Sequence, residues 1–165
     1  MKKILAALMA LLLMCSFALA DGLQFVTMDM DGNVVTHEIF AEHDLTMVNV
    51  WATWCGYCIE EMPEFAALNE RLAGHNGALI TICDDAAVEP ELTALILESV
   101  GANFPTLLAT ADMYSGILSS VYAFPTTFFV DSEGNMVGEP IVGVPSLEEA
   151  GEAYYQIFME RLESL

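Results

Sequence analysis

One junction constrains this chain more than any other feature. Residues 45–51 (LTMVNVW) form an apolar, β-prone run of the kind that fills the centre of a sheet covered on both faces. The run hands over to Trp54-Cys55-Gly56-Tyr57-Cys58. From Gly56 the apolar period lengthens, with Met62, Phe65, Leu68 and Leu72 at helical spacing until Gly74 closes the helix. A cysteine placed where a strand becomes a helix meets unpaired backbone N–H groups and the positive end of the helix dipole, and both favour its thiolate. Two intervening residues allow a disulfide ring across the first turn, with Cys55 as the exposed attacking sulfur and Cys58 as the buried resolving one. A lone C-x-x-C is also half of a zinc site. The other half would have to come from Cys83, His37, His43 and His75, which are scattered and contain no second pair, so no metal is expected.

The rest of the chain reads as alternating strands and helices. Residues 23–28 and 34–40 are short extended stretches around the turn Asp29-Met30-Asp31-Gly32-Asn33. Residues 78–83 (ALITIC) form a second buried strand. Leu92, Leu95, Ile96 and Val100 mark a helix that begins near Pro90 and ends at Gly101. Residues 104–108 lead into a helix around 113–121. Residues 126–130 (TTFFV) form a strand, 131–135 a turn, and 136–142 the antiparallel partner. Ser146 and Glu149 make a capping box. It opens a last helix whose buried face carries Leu147, Ala150, Tyr154, Ile157 and Phe158. The order β-α-β-α followed by β-β-α implies an α/β protein with a mixed sheet flanked by helices.

At 165 residues the chain suits one folded domain. Lys2 and Lys3 precede an apolar run over residues 4–20 that ends in Ala18-Leu19-Ala20. Residues 1–20 therefore read as an export signal cut after Ala20, leaving the domain over residues 21–165. The run also lies at the lower edge of bilayer-spanning length, so an uncleaved anchor stays open. Cys15 offers a lipid attachment, against which stands the bulky Met14 before it. All three readings place the domain outside the cytoplasm, periplasmic or secreted, where disulfides persist. The formal net charge is −20, and beyond the leader only Arg71 and Arg161 oppose 24 acidic residues. Such a surface repels phosphate backbones and anionic lipid, which excludes nucleic acid as a partner.

The stretch Val48-Asn49-Val50-Trp51-Ala52-Thr53-Trp54-Cys55-Gly56-Tyr57-Cys58, followed by Glu61-Met62-Pro63, resembles the thioredoxin superfamily. Within it, the closer resemblance is to the TlpA/ResA-type exported thiol–disulfide oxidoreductases, whose signature is C-x-x-C-x-x-E-x-P. The likeness continues through Phe104-Pro105, Phe124-Pro125-Thr126-Thr127-Phe128 and residues 131–134, and so covers residues 22–165. It implies a thioredoxin fold with an N-terminal β-hairpin and a strand and helix inserted over roughly residues 84–120. It also implies a redox-active disulfide with no other cofactor, Cys55 and Cys58 being catalytic. Glu61 would help move the proton of Cys58, directly or through water. Pro125 would be a cis-proline beside the disulfide. Phe124 and Pro125 would hold an extended substrate strand, with Trp54, Gly56 and Tyr57 beside it. Phe124 departs from the smaller residue usual there. Pro63 should kink its helix, and Asn49 stands where cytoplasmic thioredoxins carry a buried aspartate.

Several other residues have plainer readings. Glu60 and Glu64 read as solvated helix-start acids, and Trp51 and Trp54 as packing residues. Cys83 reads as an inert core thiol, with a third redox cysteine as the alternative. No histidine lies between the cysteines to stabilise a thiolate, and nearby acids oppose one. A Cys55 pKa nearer about 7 than the roughly 3.5 of strong oxidants follows, with a reduction potential below about −200 mV. These features suggest a monomeric disulfide reductase for exported proteins, and the resemblance implies recycling by a membrane-embedded electron donor and substrates such as the haem site of an apocytochrome c. Gly-Tyr between the cysteines is also found in DsbC-type isomerases. An isomerase or oxidase therefore stays open, as does a non-enzymatic acidic module that binds cations or a basic partner.

Overall fold

The computed structural model describes residues 24–165. The leader over residues 1–20, with Cys15, lies outside them. A five-stranded sheet in the order β5-β4-β3-β6-β7 forms the centre. Strand β3 (Leu45–Trp51) is its middle member, and every residue of it is buried. Strand β4 (Gly77–Cys83) pairs parallel to it and β5 (Thr106–Leu108) parallel to β4. On the other side β6 (Thr126–Asp131) runs antiparallel to β3 and β7 (Ile141–Val142) antiparallel to β6. Side chains alternate across a strand, and here both faces are covered. Leu45, Met47 and Trp51 enter one core with Phe65, Leu68, Tyr154 and Phe158. Val48 and Val50 enter the other with Phe25, Phe40, Ile80 and Phe128. That double cover is why β3 carries almost no polar residue.

A hairpin of β1 (Val26–Met28) and β2 (Val34–Thr36) extends the β5 edge. Its turn is held by the Asp29 carboxylate, which accepts from the N–H groups of Asp31 and Asn33, with Gly32 at φ +85°. Thr27 donates to the Leu108 carbonyl at 2.6 Å and Met30 N–H to Thr106 at 3.0 Å. The second extended stretch stops earlier than its sequence suggests. The Thr36 hydroxyl accepts from Glu38 N–H and starts a 3-10 helix over His37–Glu42, which turns Phe40 edge-on to Phe25 at 6.0 Å.

The helices follow the expected order with local corrections. Helix α1 (Gly56–Glu61) passes through a 3-10 turn (Met62–Glu64) containing Pro63 into α2 (Phe65–Ala73), which Gly74 ends. Helix α3 (Pro90–Ser99) turns a different face inward. Thr93 and Ile96 are buried, whereas Leu92 and Leu95 are exposed. The Thr93 hydroxyl is satisfied by the Glu89 carbonyl at 2.8 Å, so burying it costs little. Helix α4 (Ala111–Ser115) is shorter than residues 113–121, because the chain turns at Gly116 to bury Ile117 and Leu118. These elements fill the expected insertion before β6.

The partner of β6 is interrupted. Met136 makes an isolated bridge to Val130, and pairing resumes only at β7. Between them the Arg161 guanidinium takes the carbonyls of Val137 and Glu139 at 2.8 and 2.6 Å, which diverts that backbone from the sheet. Ser146 accepts from Glu149 N–H at 3.2 Å, but the last helix, α5 (Ala150–Leu162), starts after this turn and Leu147 is exposed. Ala150, Tyr154 and Phe158 form its buried face. Arg71 also anchors α5, pairing with Glu152 at 2.9 Å and lying over the Tyr155 ring. Among the described residues no helix is long and apolar enough to cross a membrane.

Phe158 packs directly over Gly77, where an added Cβ would overlap the ring and approach the Leu45 carbonyl at 3.2 Å. Gly77→Ala should therefore destabilise the domain by about 1–3 kcal/mol in urea unfolding, through overpacking of α5 on the sheet.

Candidate active site

Strand register brings the two halves of the site to one end of the sheet. Val50 pairs with Thr126 and Trp51 with Cys83, so the chain leaving β3 and the chain entering β6 emerge side by side. The first carries the cysteines, and the second carries a cis Phe124–Pro125 peptide. The Trp54 and Phe124 rings face each other across the junction at 5.7 Å.

The loop between β3 and α1 is pinned from below. Asp85 accepts from Thr53 N–H at 2.9 Å and from the Thr53 hydroxyl at 2.6 Å, and Asp84 N–H donates to the Trp51 carbonyl at 2.8 Å. Partial burial pushes the Asp85 carboxyl up, but the Thr53 hydrogen bonds outweigh it and hold its pKa below the ordinary value. Cys55 then caps α1 in extended conformation, and its Sγ accepts from Cys58 N–H at 3.3 Å. Cys55 and Cys58 form a disulfide.

Cys58 is fully buried and Cys55 is 6% exposed. Both sulfurs therefore belong to buried residues, and Cys55, expected to be exposed, is only slightly the more accessible of the two. The open surface belongs to Trp54 and Tyr57, both more than half exposed. Trp54 is therefore a surface residue, whereas Trp51 packs in the core and donates Nε1–H to Thr81 at 3.3 Å. Gly56 borders open space, since a Cβ there would meet nothing within 4 Å. At the facing segment the Pro125 carbonyl accepts from Gly143 N–H and the Ala123 carbonyl from the Thr126 hydroxyl, both at 2.8 Å. Among the described residues no group takes the Phe124 backbone N–H or C=O.

Beneath the disulfide lies a closed ring of buried polar side chains. Glu61, three residues after Cys58 on the same helical face, is only 2% exposed. Asn49 of β3 donates from Nδ2 to Glu61 Oε1 at 2.9 Å and to Thr127 Oγ1 at 3.0 Å. Thr127 of β6 donates to the Tyr154 hydroxyl at 3.1 Å, which donates to Glu61 Oε2 at 3.1 Å. Burial pushes the Glu61 carboxyl up to about 7. The bonds from Asn49 and Tyr154 oppose the shift, and the Glu64 charge adds to it. The same burial, with the Glu61 charge, drives the Tyr154 hydroxyl far above its ordinary value.

Glu60 is exposed as expected. Glu64 is half-buried, and its carboxylate accepts from Gly151 N–H at the start of α5 at 2.7 Å. Cys83 is buried and unpaired. It donates to Asp85 at 3.3 Å, and burial together with that carboxylate pushes its thiol up to about 12. Among the described residues no group of three or more His, Cys, Asp or Glu is arranged to hold a metal. Sequence reading placed Asn49 only by what it replaces, and it did not assign Thr127, Tyr154 or Asp85 to the site. The available signals were a lone amide inside an apolar strand, and a tyrosine on a buried helix face whose hydroxyl must find a partner.

Comparison with known proteins adds three findings. The AhpC/TSA family model matches residues 17–138. The chain is 34% identical over 90 residues to the thiol:disulfide interchange protein DsbE of Allochromatium vinosum, a match covering 54% of this chain and 47% of that protein. It is 33% identical over 120 residues to protein disulfide isomerase-like 1-3 of Oryza sativa subsp. japonica, covering 73% of this chain and 21% of that protein. The chain thus spans about half or less of the length of these curated relatives. Among solved structures, a thiol:disulfide interchange protein of the thioredoxin family from Chlorobium tepidum superposes with a TM-score of 0.72 at 21% identity. That match covers 86% of this chain and 94% of that one. The fold is the thioredoxin fold.

Because the folded pKa of Glu61 lies above its ordinary 4.5, the native state holds this proton more tightly than the unfolded chain. The resulting stabilisation is fully present below about pH 4.5 and is lost as pH rises through about 7. Urea unfolding should show wild type losing up to about 3 kcal/mol across that window relative to Glu61→Gln, which has no such proton to lose. Parallel pH–stability curves for the two proteins would contradict this.

Proposed function

The chain belongs to the AhpC/TSA family, and on that premise we propose that it is a thiol–disulfide oxidoreductase that reduces disulfides of exported proteins. The observation that carries the reading is the Cys55–Cys58 disulfide at the start of α1, with the cis Phe124–Pro125 segment emerging at the same end of the sheet and a buried carboxyl one helical turn after Cys58. In the reduced enzyme the Cys55 thiolate attacks one sulfur of a substrate disulfide. A Cys55–substrate disulfide forms and the other substrate sulfur leaves as thiolate. Glu61, as carboxylate, takes the proton of Cys58 directly or through water. The Cys58 thiolate then attacks Cys55 Sγ, closing the enzyme disulfide and releasing the second substrate thiolate. Two electrons have passed from the enzyme dithiol to the substrate. A dithiol donor in the membrane returns them.

The free Phe124 backbone groups support a substrate that lies extended across Phe124 and Pro125, with Trp54, Gly56 and Tyr57 on its other side. The basic–apolar leader over residues 1–20 supports work outside the cytoplasm, on substrates that include the haem site of an apocytochrome c. The protein acts as a monomer and without a further cofactor. Similarity to the Oryza protein disulfide isomerase-like sequence favours one second reading, net isomerisation.

Insulin reduction by the protein freed of its leader should be abolished by Cys55→Ser and slowed about 10²-fold by Glu61→Gln. Cys58→Ser should accumulate a mixed disulfide that identifies the substrate. The reduction potential should fall below about −200 mV. A value near about −120 mV would overturn the reductase direction, and efficient refolding of scrambled ribonuclease without insulin reduction would favour the isomerase. A partner that still binds Cys55→Ser unchanged would point to a non-enzymatic acidic module.

A further inference from the structure

The ring beneath the disulfide has one loose end. Asn49 Oδ1 is buried and has no hydrogen-bond partner among the described residues, although Asn49 Nδ2 serves two acceptors. Buried polar atoms are seldom left this way without a reason. Every donor in the ring points toward Glu61. The Asn49 amide and the Tyr154 hydroxyl both donate to its carboxyl, and Thr127 donates onward to Tyr154. This arrangement suits a carboxylate, and a carboxylic acid needs one of these donors to reverse. A proton arriving on Oε1 would face the Asn49 N–H, donor against donor.

We infer that the Asn49 side chain is a positioning element that turns over when Glu61 takes up a proton, presenting Oδ1 in place of Nδ2 and so retaining the proton within the ring. An amide carries donors at one end and an acceptor with two lone pairs at the other. Rotated by half a turn, Oδ1 accepts from the Glu61 O–H and from the Thr127 hydroxyl, which releases Tyr154. Tyr154 goes on donating to Oε2. One end of the amide is unpartnered in either orientation: Oδ1 before the turn and Nδ2 after it. An aspartate at this position would instead place a second acid against Glu61.

The titratable groups acting on Glu61 are Tyr154 of α5 and Glu64 of the 3-10 turn, the cysteines of its own helix being joined as a disulfide. Strands β3 and β6 contribute the neutral Asn49 and Thr127, and among the described residues no cation balances the site. The inference rests on the proposed role of Glu61 as acceptor of the Cys58 proton. In that role the turnover lets one carboxyl hold a proton while Cys58 attacks and yield it when the dithiol is next restored.

The test is an NMR titration of the oxidised protein, from about two pH units below the Glu61 midpoint to about two above. The Glu61 carboxyl carbon reports protonation, and through-space contacts between the Asn49 Nδ2 protons and the Thr127 side chain report orientation. Those contacts should be strong above the midpoint and lose most of their intensity below it, in step with the carboxyl signal. Contacts that persist unchanged through the Glu61 titration would overturn the inference, because the proton would then be accommodated by reversal of the Tyr154 and Thr127 hydroxyls alone. Asn49→Leu supplies a second measurement. If the amide serves both protonation states, its loss should move the Glu61 midpoint by less than about half a unit. An upward shift of about one unit or more would mark a fixed donor and overturn the inference. Neither measurement needs turnover, so a protein inactive toward insulin could still show the switch, and an active one could lack it.

Discussion

A carboxyl buried one helical turn after Cys58, with no cation beside it among the described residues, is the constraint on which the rest of the site depends. Removing an isolated carboxylate from water is costly unless it is neutralised or well hydrogen-bonded. Here both remedies are half used. Two donated hydrogen bonds support the charged form of Glu61, while burial holds its pKa near neutrality. The donors come from the central strand and from the C-terminal helix, and Thr127 of β6 joins them. Four separate elements are therefore tied to one ionisable group. A helix remote in sequence from the cysteines is thereby tied to Glu61, and any shift of α5 on the sheet would be felt there.

The disulfide is positioned by a different set of contacts. Asp85 grips Thr53, two residues before Cys55, through both its carboxylate oxygens, and the strand register fixes where the Phe124–Pro125 peptide arrives. Cys83 donates to Asp85 Oδ1, the same oxygen that takes the Thr53 N–H. This third cysteine is thereby engaged as a hydrogen-bond donor, and burial keeps its thiol from ionising. The disulfide loop and the buried carboxyl are thus held from opposite ends of the same loop-helix unit.

Much of this was legible in the sequence because periodicity and junctions are local. Strand β3 was delimited to the residue by its apolar run, and the cysteine pair by its place after that run. Features that depend on distant partners were not. The inward face of α3 is set by a satisfied Thr93, which a count of leucines cannot anticipate. The break in the β6 partner comes from Arg161, more than 20 residues downstream. Glu64 looked like its solvated neighbour Glu60 until α5 supplied a backbone N–H for it. The ring around Glu61 spans β3 to α5, and only folding brings its members together.

Both arginines of the described region are held at helix α5, one in an ion pair stacked on Tyr155 and one on two backbone carbonyls, and lysine is absent beyond the leader. For a trypsin-like protease this leaves two cleavage points, each inside a helix and each with its guanidinium engaged. The folded domain thus presents no free basic side chain for such an enzyme to grip, and no ε-amine for acylation. Digestion at basic residues becomes a reporter of whether α5 is docked.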